Sequence, residues 1–71
     1  MKKSEILKII SKALGQKVTE NSNNKNTKKW DSLGHLQILA SFDKITKGKS
    51  SKINKLSTSN SVKEIIKILG Q

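Results

Sequence analysis

The sequence contains no cysteine, proline, arginine or tyrosine, and these gaps exclude several classes of protein. Without cysteine, the chain holds neither a disulfide framework nor a thiolate metal site. Its one histidine is His35, so a zinc cluster would have to be built mainly from its five acidic residues. A chain of 71 residues is limited to a single domain (residues 1–71) with little room for a deep substrate pocket. We therefore expect no catalytic residues and no metal ligands, and a structure stabilised by helix packing.

Long apolar runs are also missing. No stretch is apolar enough over a sufficient length to cross a bilayer. The first residues, Met1-Lys2-Lys3, resemble the start of a signal peptide, but Ser4, Glu5 and Lys8 interrupt the apolar stretch that should follow. The lack of cysteine is consistent with a reducing compartment. These features predict a cytoplasmic protein without a membrane span.

The charge is strongly one-sided, with fifteen lysines and a net charge of +10. Such a charge favours a small, basic, helical nucleic-acid-binding protein as the alternative function. Specific recognition of bases, however, favours the planar guanidinium group of arginine, which this chain lacks. The only aromatic residues, Trp30 and Phe42, are too few for a base-stacking platform. We therefore expect no specific nucleic-acid partner; codon bias is another explanation for a lysine-rich chain without arginine.

The first helix is predicted over residues 3–14. Its apolar residues recur at helical spacing opposite Lys8 and Lys12, and Gly15 can adopt the left-handed conformation that ends a helix. The pattern suits a helix packed in a bundle, with a basic segment lying on a membrane surface as the alternative. The apolar face comprises Ile6, Leu7, Ile10, Ala13 and Leu14.

A polar, asparagine-rich loop is predicted next, over residues 16–30, with Val18 and Trp30 as its only large apolar anchors. A loop of this length has a topological reason here, because it must return the chain so that the second helix packs beside the first.

The second helix is predicted over residues 31–47, with Asp31 as its N-cap and Gly48 at its end. Gly34 is expected to weaken it by about 1 kcal/mol relative to alanine. Its apolar stripe is broad enough to face two neighbours and comprises Leu33, Leu36, Ile38, Leu39, Ala40, Phe42 and Ile45.

The last part of the chain contains two further helical signals. Ile53 and Leu56 suggest a short helical turn, and Ser61 with Glu64 forms an S-x-x-E capping box that begins a helix over residues 61–69. The apolar face of this last helix comprises Val62, Ile65, Ile66 and Leu69.

Together these elements predict an all-α fold. It is a small four-helix bundle in which the first, second and fourth helices are the main ones and the third is short. There is no internal repeat and no strand-like alternation. We expect Leu36 and Ile66 to be buried between helices.

The candidate functional site is the tripeptide Asp31-Ser32-Leu33, where the long loop meets the second helix. The first-turn N–H groups of a helix lack intrahelical acceptors, and the positive end of its dipole attracts anions. A phosphodiester on the Ser32 hydroxyl would gain about 0.3–1 kcal/mol from that dipole. Taken alone, Asp-Ser is also an ordinary capping pair.

The stretch from Trp30 to Leu39, WDSLGHLQIL, resembles free-standing members of the acyl carrier protein family that serve specialised pathways. The resemblance extends from Ser4 to Leu69, with the Asp-Ser-Leu motif opening the second helix. It implies an acyl-carrier-like bundle, a monomer, with 4′-phosphopantetheine from coenzyme A attached to Ser32. Acyl or aminoacyl groups would be carried on this arm as thioesters, and the protein itself would have no enzymatic activity.

The resemblance also implies roles for neighbouring residues. Asp31 would help to present the serine to a phosphopantetheinyl transferase, and Leu33 would contact that enzyme and the acyl-loading and acyl-transfer enzymes of the pathway. A role in the core is the alternative for these apolar residues. The implied partner or acyl-cleft contacts are Leu33, Leu36, Ile53 and Leu56.

In one respect the chain departs from the family, whose members are typically acidic along the second helix. Residues 32–46 contain one acidic residue, Asp43, and one lysine, Lys44, so this segment has no net charge. We therefore expect partners other than standard fatty-acid synthase enzymes.

A Ser32–His35–Asp31 catalytic triad is rejected, because three residues on one exposed helical turn cannot enclose a scissile carbonyl. His35 is expected to be a solvated side chain near the arm, and Trp30 an anchor that packs the loop on the core.

Overall fold

The computed structural model describes residues 1–47 and 53–70. Within these ranges it contains α1 (Lys3–Leu14), α2 (Ser32–Thr46), α3 (Ile53–Leu56) and α4 (Val62–Leu69). The same ranges contain no strand, only an isolated β-bridge between Asn23 and Ser61. The predicted all-α class and the predicted order of helices are confirmed. None of the described helices has the length and apolarity needed to cross a membrane.

Helix α1 buries one side and ends at a glycine, as its sequence predicts. Ile6, Ile10 and Leu14 are spaced by four residues and are all buried. Gly15 adopts the left-handed conformation (φ 70°), and its N–H donates to the carbonyl oxygen of Ser11. This part of the apolar side of α1 therefore faces the protein core.

Helices α1 and α2 pack in opposite directions and meet closely at Gly34. A methyl group added at Gly34 would lie 2.8 Å from Cδ2 of Leu14 and closer still to the carbonyl oxygen of Lys29. The weak point predicted at Gly34 therefore also has a packing role. Its missing side chain lets the end of α1 and the preceding loop approach the start of α2.

The long loop contains no helix and is attached to the start of α4. The N–H of Asn24 donates to the carbonyl oxygen of Asn60 (2.9 Å), and the N–H of Val62 donates to that of Ser22 (3.0 Å). Asn23 closes a turn within the loop, since its Oδ1 accepts from the backbone of Lys25 at 2.8 Å. These bonds place the loop beside the α3–α4 connection.

Helix α4 begins at the predicted cap. The Ser61 hydroxyl accepts from the Glu64 N–H (3.2 Å), and the Glu64 carboxylate accepts from the Asn60 N–H (3.1 Å). The carboxylate thus reaches one residue further back than in the usual capping box.

The core draws on all four helices and on both predicted loop anchors, which are confirmed as buried. Its largest fully buried side chain is Phe42. The buried apolar residues are Ile6, Ile10, Leu14, Val18, Trp30, Ile38, Phe42, Leu56, Val62, Ile65 and Leu69.

The expected burial of Leu36 is wrong, because its side chain is 60% exposed. Helix α2 turns Gly34, Ile38 and Phe42 inward, and a residue two positions away from Gly34 is rotated by about 200° around the helix axis. Ile66 is only half-buried and packs against the edge of the core.

The end of α2 also differs from the prediction. Lys47 adopts the left-handed conformation (φ 56°), and its N–H donates to the carbonyl oxygens of Asp43 and Lys44. The cap thus lies one residue before Gly48, which itself lies outside the described residues.

Candidate functional site

Ser32 is the first residue of α2, and it is exposed. Asp31 precedes it in an extended conformation, and its Oδ1 accepts a hydrogen bond from the Gly34 N–H (2.8 Å). The predicted N-cap is therefore confirmed. Because one Asp31 carboxylate oxygen is committed to the helix backbone, this residue fixes where α2 begins and thereby places Ser32 at its N-terminus.

The position of Ser32 favours a negatively charged substituent. Helix α2 has 15 residues, so the peptide dipoles of several turns align behind Ser32. Helix geometry leaves the first N–H groups of α2 without intrahelical acceptors, and Asp31 satisfies the one on Gly34. The first turn of α2 itself contains no acidic residue.

A cleft of about 600 Å³ lies beside Ser32. It is bounded by the start of α2, by the long loop and by the chain between α3 and α4. The backbone hydrogen bond from the Asn24 N–H to the Asn60 carbonyl oxygen joins two of these segments. The residues around the cleft are Asn24, Trp30, Asp31, Ser32, His35, Leu36, Ser57 and Asn60.

His35 forms part of the cleft wall. Its Nδ1 accepts from the Trp30 indole N–H (3.2 Å), and its Nε2 lies 3.1 Å from the carbonyl oxygen of Ser57. Since Nδ1 accepts, the proton is on Nε2, which donates to Ser57. The two rings also stack, with centroids 6.5 Å apart. His35 is half-buried, and both of its ring nitrogens form hydrogen bonds within the protein. The expectation of a solvated side chain is therefore wrong.

This arrangement also bears on the catalytic triad. A triad needs one imidazole nitrogen on the serine hydroxyl and the other on a carboxylate. Both nitrogens of His35 have other partners, Trp30 and Ser57. Oδ1 of Asp31 accepts a hydrogen bond from the backbone N–H of Gly34 instead. The rejection of a Ser32–His35–Asp31 triad agrees with these contacts.

The four apolar residues singled out as contacts fall into different environments. Leu33 and Leu36 are 64% and 60% exposed and lie within the first five residues of α2, next to Ser32. Leu56 is fully buried in the core. Ile53 begins α3, but its side chain lies outside the described residues. The structure thus brings Leu33 and Leu36 to the surface beside Ser32, while a role of Leu56 or Ile53 in an acyl cleft stays a prediction.

Three cleft residues were not singled out from the sequence: Asn24, Ser57 and Asn60. They lie in two polar connections that are far apart in the chain and that resemble any other loop in composition. The bond from Asn24 to Asn60 brings them together. Nothing in their local spacing signals this contact.

The described ranges contain no cluster of three histidine, cysteine or acidic residues able to hold a metal ion. Comparison with protein-family models, with curated proteins and with solved structures found no significant match. The features that point to a function are therefore the geometry around Ser32 and the motif that contains it.

Proposed function

We propose that this protein is an acyl carrier of the acyl carrier protein type, with 4′-phosphopantetheine attached to Ser32. The observation that carries the proposal is the position of Ser32, exposed at the first residue of α2 and beside an open cleft. The all-α fold with its four described helices and the Asp31-Ser32-Leu33 motif support the same interpretation.

The residues around Ser32 suit such a group. An exposed hydroxyl is accessible to a modifying enzyme, and the positive end of the α2 dipole would stabilise the phosphodiester by about 0.3–1 kcal/mol. The cleft offers the side-chain amides of Asn24 and Asn60 as partners for the amides of the arm. Trp30 and Leu36 add apolar surface. When bound, the arm supplies a terminal thiol that holds acyl or aminoacyl groups as thioesters.

The remaining residues act by presenting Ser32. Asp31 fixes the first turn of α2, while Leu33 and Leu36 form an apolar surface for the transferase and for acyl-transfer enzymes. The only charged residues of Ser32–Thr46 are Asp43 and Lys44, which balance, so docking at this surface depends mainly on apolar contact. The protein itself carries out no chemistry in this proposal.

The test is the intact mass after incubation with coenzyme A and a broad-specificity phosphopantetheinyl transferase. We expect the wild type to gain the mass of one phosphopantetheine and Ser32→Ala to gain none. Ser57→Ala is the matched control, because it removes another hydroxyl from the same cleft and should be labelled like the wild type. Labelling of folded Ser32→Ala, or no labelling of the wild type with several transferases, would contradict the proposal.

The net charge of +10 favours the alternative, a small basic nucleic-acid-binding protein. Lysines occur in all four helices and in the long loop, whereas a specific binder concentrates them on one recognition surface. The carrier proposal therefore predicts only weak, salt-sensitive and sequence-independent DNA binding.

A further inference from the structure

A second concave surface lies between α1 and α2, away from Ser32. This groove has a volume of about 520 Å³. Ser41, on its α2 side, is nine residues from Ser32, or about 14 Å along the helix at 1.5 Å per residue. Occupation of the groove would therefore leave Ser32 accessible.

The groove combines an apolar floor with a basic rim. Ile9 and Ala13 of α1 and Ile45 of α2 supply the floor, and Ile45 remains 50% exposed. The rim consists of three exposed lysines, Lys8, Lys12 and Lys44. The exposed part of Ile45 has no apolar partner in the folded protein, and exposed apolar surface rimmed by charged residues is typical of an interaction site.

Lys8, Lys12 and Lys44 form no salt bridge with any described residue. Among the described residues, the one salt bridge joins Lys3 to Glu20, and neither residue lines the groove. No carboxylate lies among the described lining residues. Lys8 and Lys12 are one helical turn apart, so both ammonium groups border the same edge.

We infer that this groove is a docking site for an acidic amphipathic helix of a partner protein. Such a helix would place its apolar stripe on Ile9, Ala13 and Ile45 and its carboxylates beside the lysines on both edges. Ala13 and Ser41, which line the groove, are small and leave room for the side chains of such a helix.

Two other occupants fit the surface less well. A bilayer is flat and does not fill a concave groove between two helices. A second copy of this chain would bring two lysine rims and two charges of +10 together, which is repulsive. The shape and the charge together favour an acidic helix.

The probe for the test is a synthetic helical peptide with a leucine stripe flanked by glutamates, together with a scrambled peptide of the same composition. Backbone amide NMR should show shifts at Ile9, Ala13 and Ile45 with the amphipathic peptide, and weaker binding of the scrambled one. Lys8→Glu/Lys12→Glu should weaken binding by about tenfold or more, since two close charge pairs become repulsive. Ile45→Gln should also weaken it, because it removes the exposed part of the floor.

The matched control is Lys63→Glu/Lys67→Glu on α4. It has the same i, i+4 spacing, the same exposure and the same change in net charge, so it should lower the affinity much less than the α1 pair. Equal losses for the two double variants would show attraction to the overall charge and overturn the inference. So would binding of anionic phosphatidylglycerol vesicles that depends on Lys8 and Lys12 while the peptide fails to bind. Ser32→Ala should bind the peptide like the wild type, which keeps this inference separate from the carrier proposal.

Discussion

The two sides of α2 have opposite environments although both carry large apolar side chains. On one side, Ile38 and Phe42 are fully buried and Gly34 allows close contact with α1 and the long loop. On the other, Leu33 and Leu36 are more than half exposed beside Ser32. Apolar content alone therefore does not determine which side of this helix forms the core; the positions of its contacting helices, α1 and α3, do.

Leu33 and Leu36 do not contribute to the core, so stability of the fold does not explain their presence beside Ser32. Leu33 and Leu36 are three residues apart and therefore lie on the same side of α2. Exposed leucines beside a candidate attachment residue are well placed for contact with another protein. The buried side stabilises the fold, and the exposed side remains available to partners.

The largest effect is expected from Phe42→Ala on the buried side. Truncating a buried phenylalanine typically costs about 3–5 kcal/mol, which equals the whole net stability expected of a core in a chain this small. Most of the helical circular dichroism at 222 nm should therefore be lost at room temperature. Phe42→Leu serves as the milder control. A Phe42→Ala variant that melts at the wild-type temperature would show that α2 does not pack by this side.

An intermediate effect is expected from Gly34→Ala. Alanine gains about 1 kcal/mol in helix propensity over glycine, but the added methyl group would collide with Leu14 and with the backbone of Lys29. Overpacking of this kind typically costs about 1–3 kcal/mol, so we expect net destabilisation in urea unfolding. Gln37→Ala, on an exposed position of α2, should change stability by less than about 0.5 kcal/mol. If Gly34→Ala is more stable than the wild type, the close approach of α1 is wrong.

The smallest effect on stability is expected from Leu36→Ala, which should change the free energy of unfolding by less than about 0.5 kcal/mol. If the carrier proposal is correct, the same variant should slow phosphopantetheine loading by roughly fivefold, the equivalent of about 1 kcal/mol at a contact surface. Loading rates at limiting transferase concentration measure this, with Gln37→Ala as the neutral control. An unfolded Leu36→Ala variant would place Leu36 back in the core.

Sequence reasoning succeeded where the signal lies within one or two helical turns. Gly15 ends α1 and Asp31 caps α2, because each acts on backbone groups three or four residues away. Ser61 caps α4 in the same way. Sequence reasoning failed for Leu36 and His35. The exposure of Leu36 depends on which side of α2 packs against the rest of the protein, and His35 is bonded to Trp30 and to Ser57, which lies 22 residues away.

The amino-acid sequence by itself determined that this protein is helical, where α2 and α4 begin, and that Ser32 opens α2. These features depend on caps and on apolar spacing, and both act between residues close in the chain. Tertiary structure decided which side of α2 is buried, that His35 joins Trp30 to Ser57, and that Asn24 and Asn60 complete the cleft. Such contacts join residues 22 or more positions apart or depend on the path of a long loop, and their geometry is set only when the helices pack together.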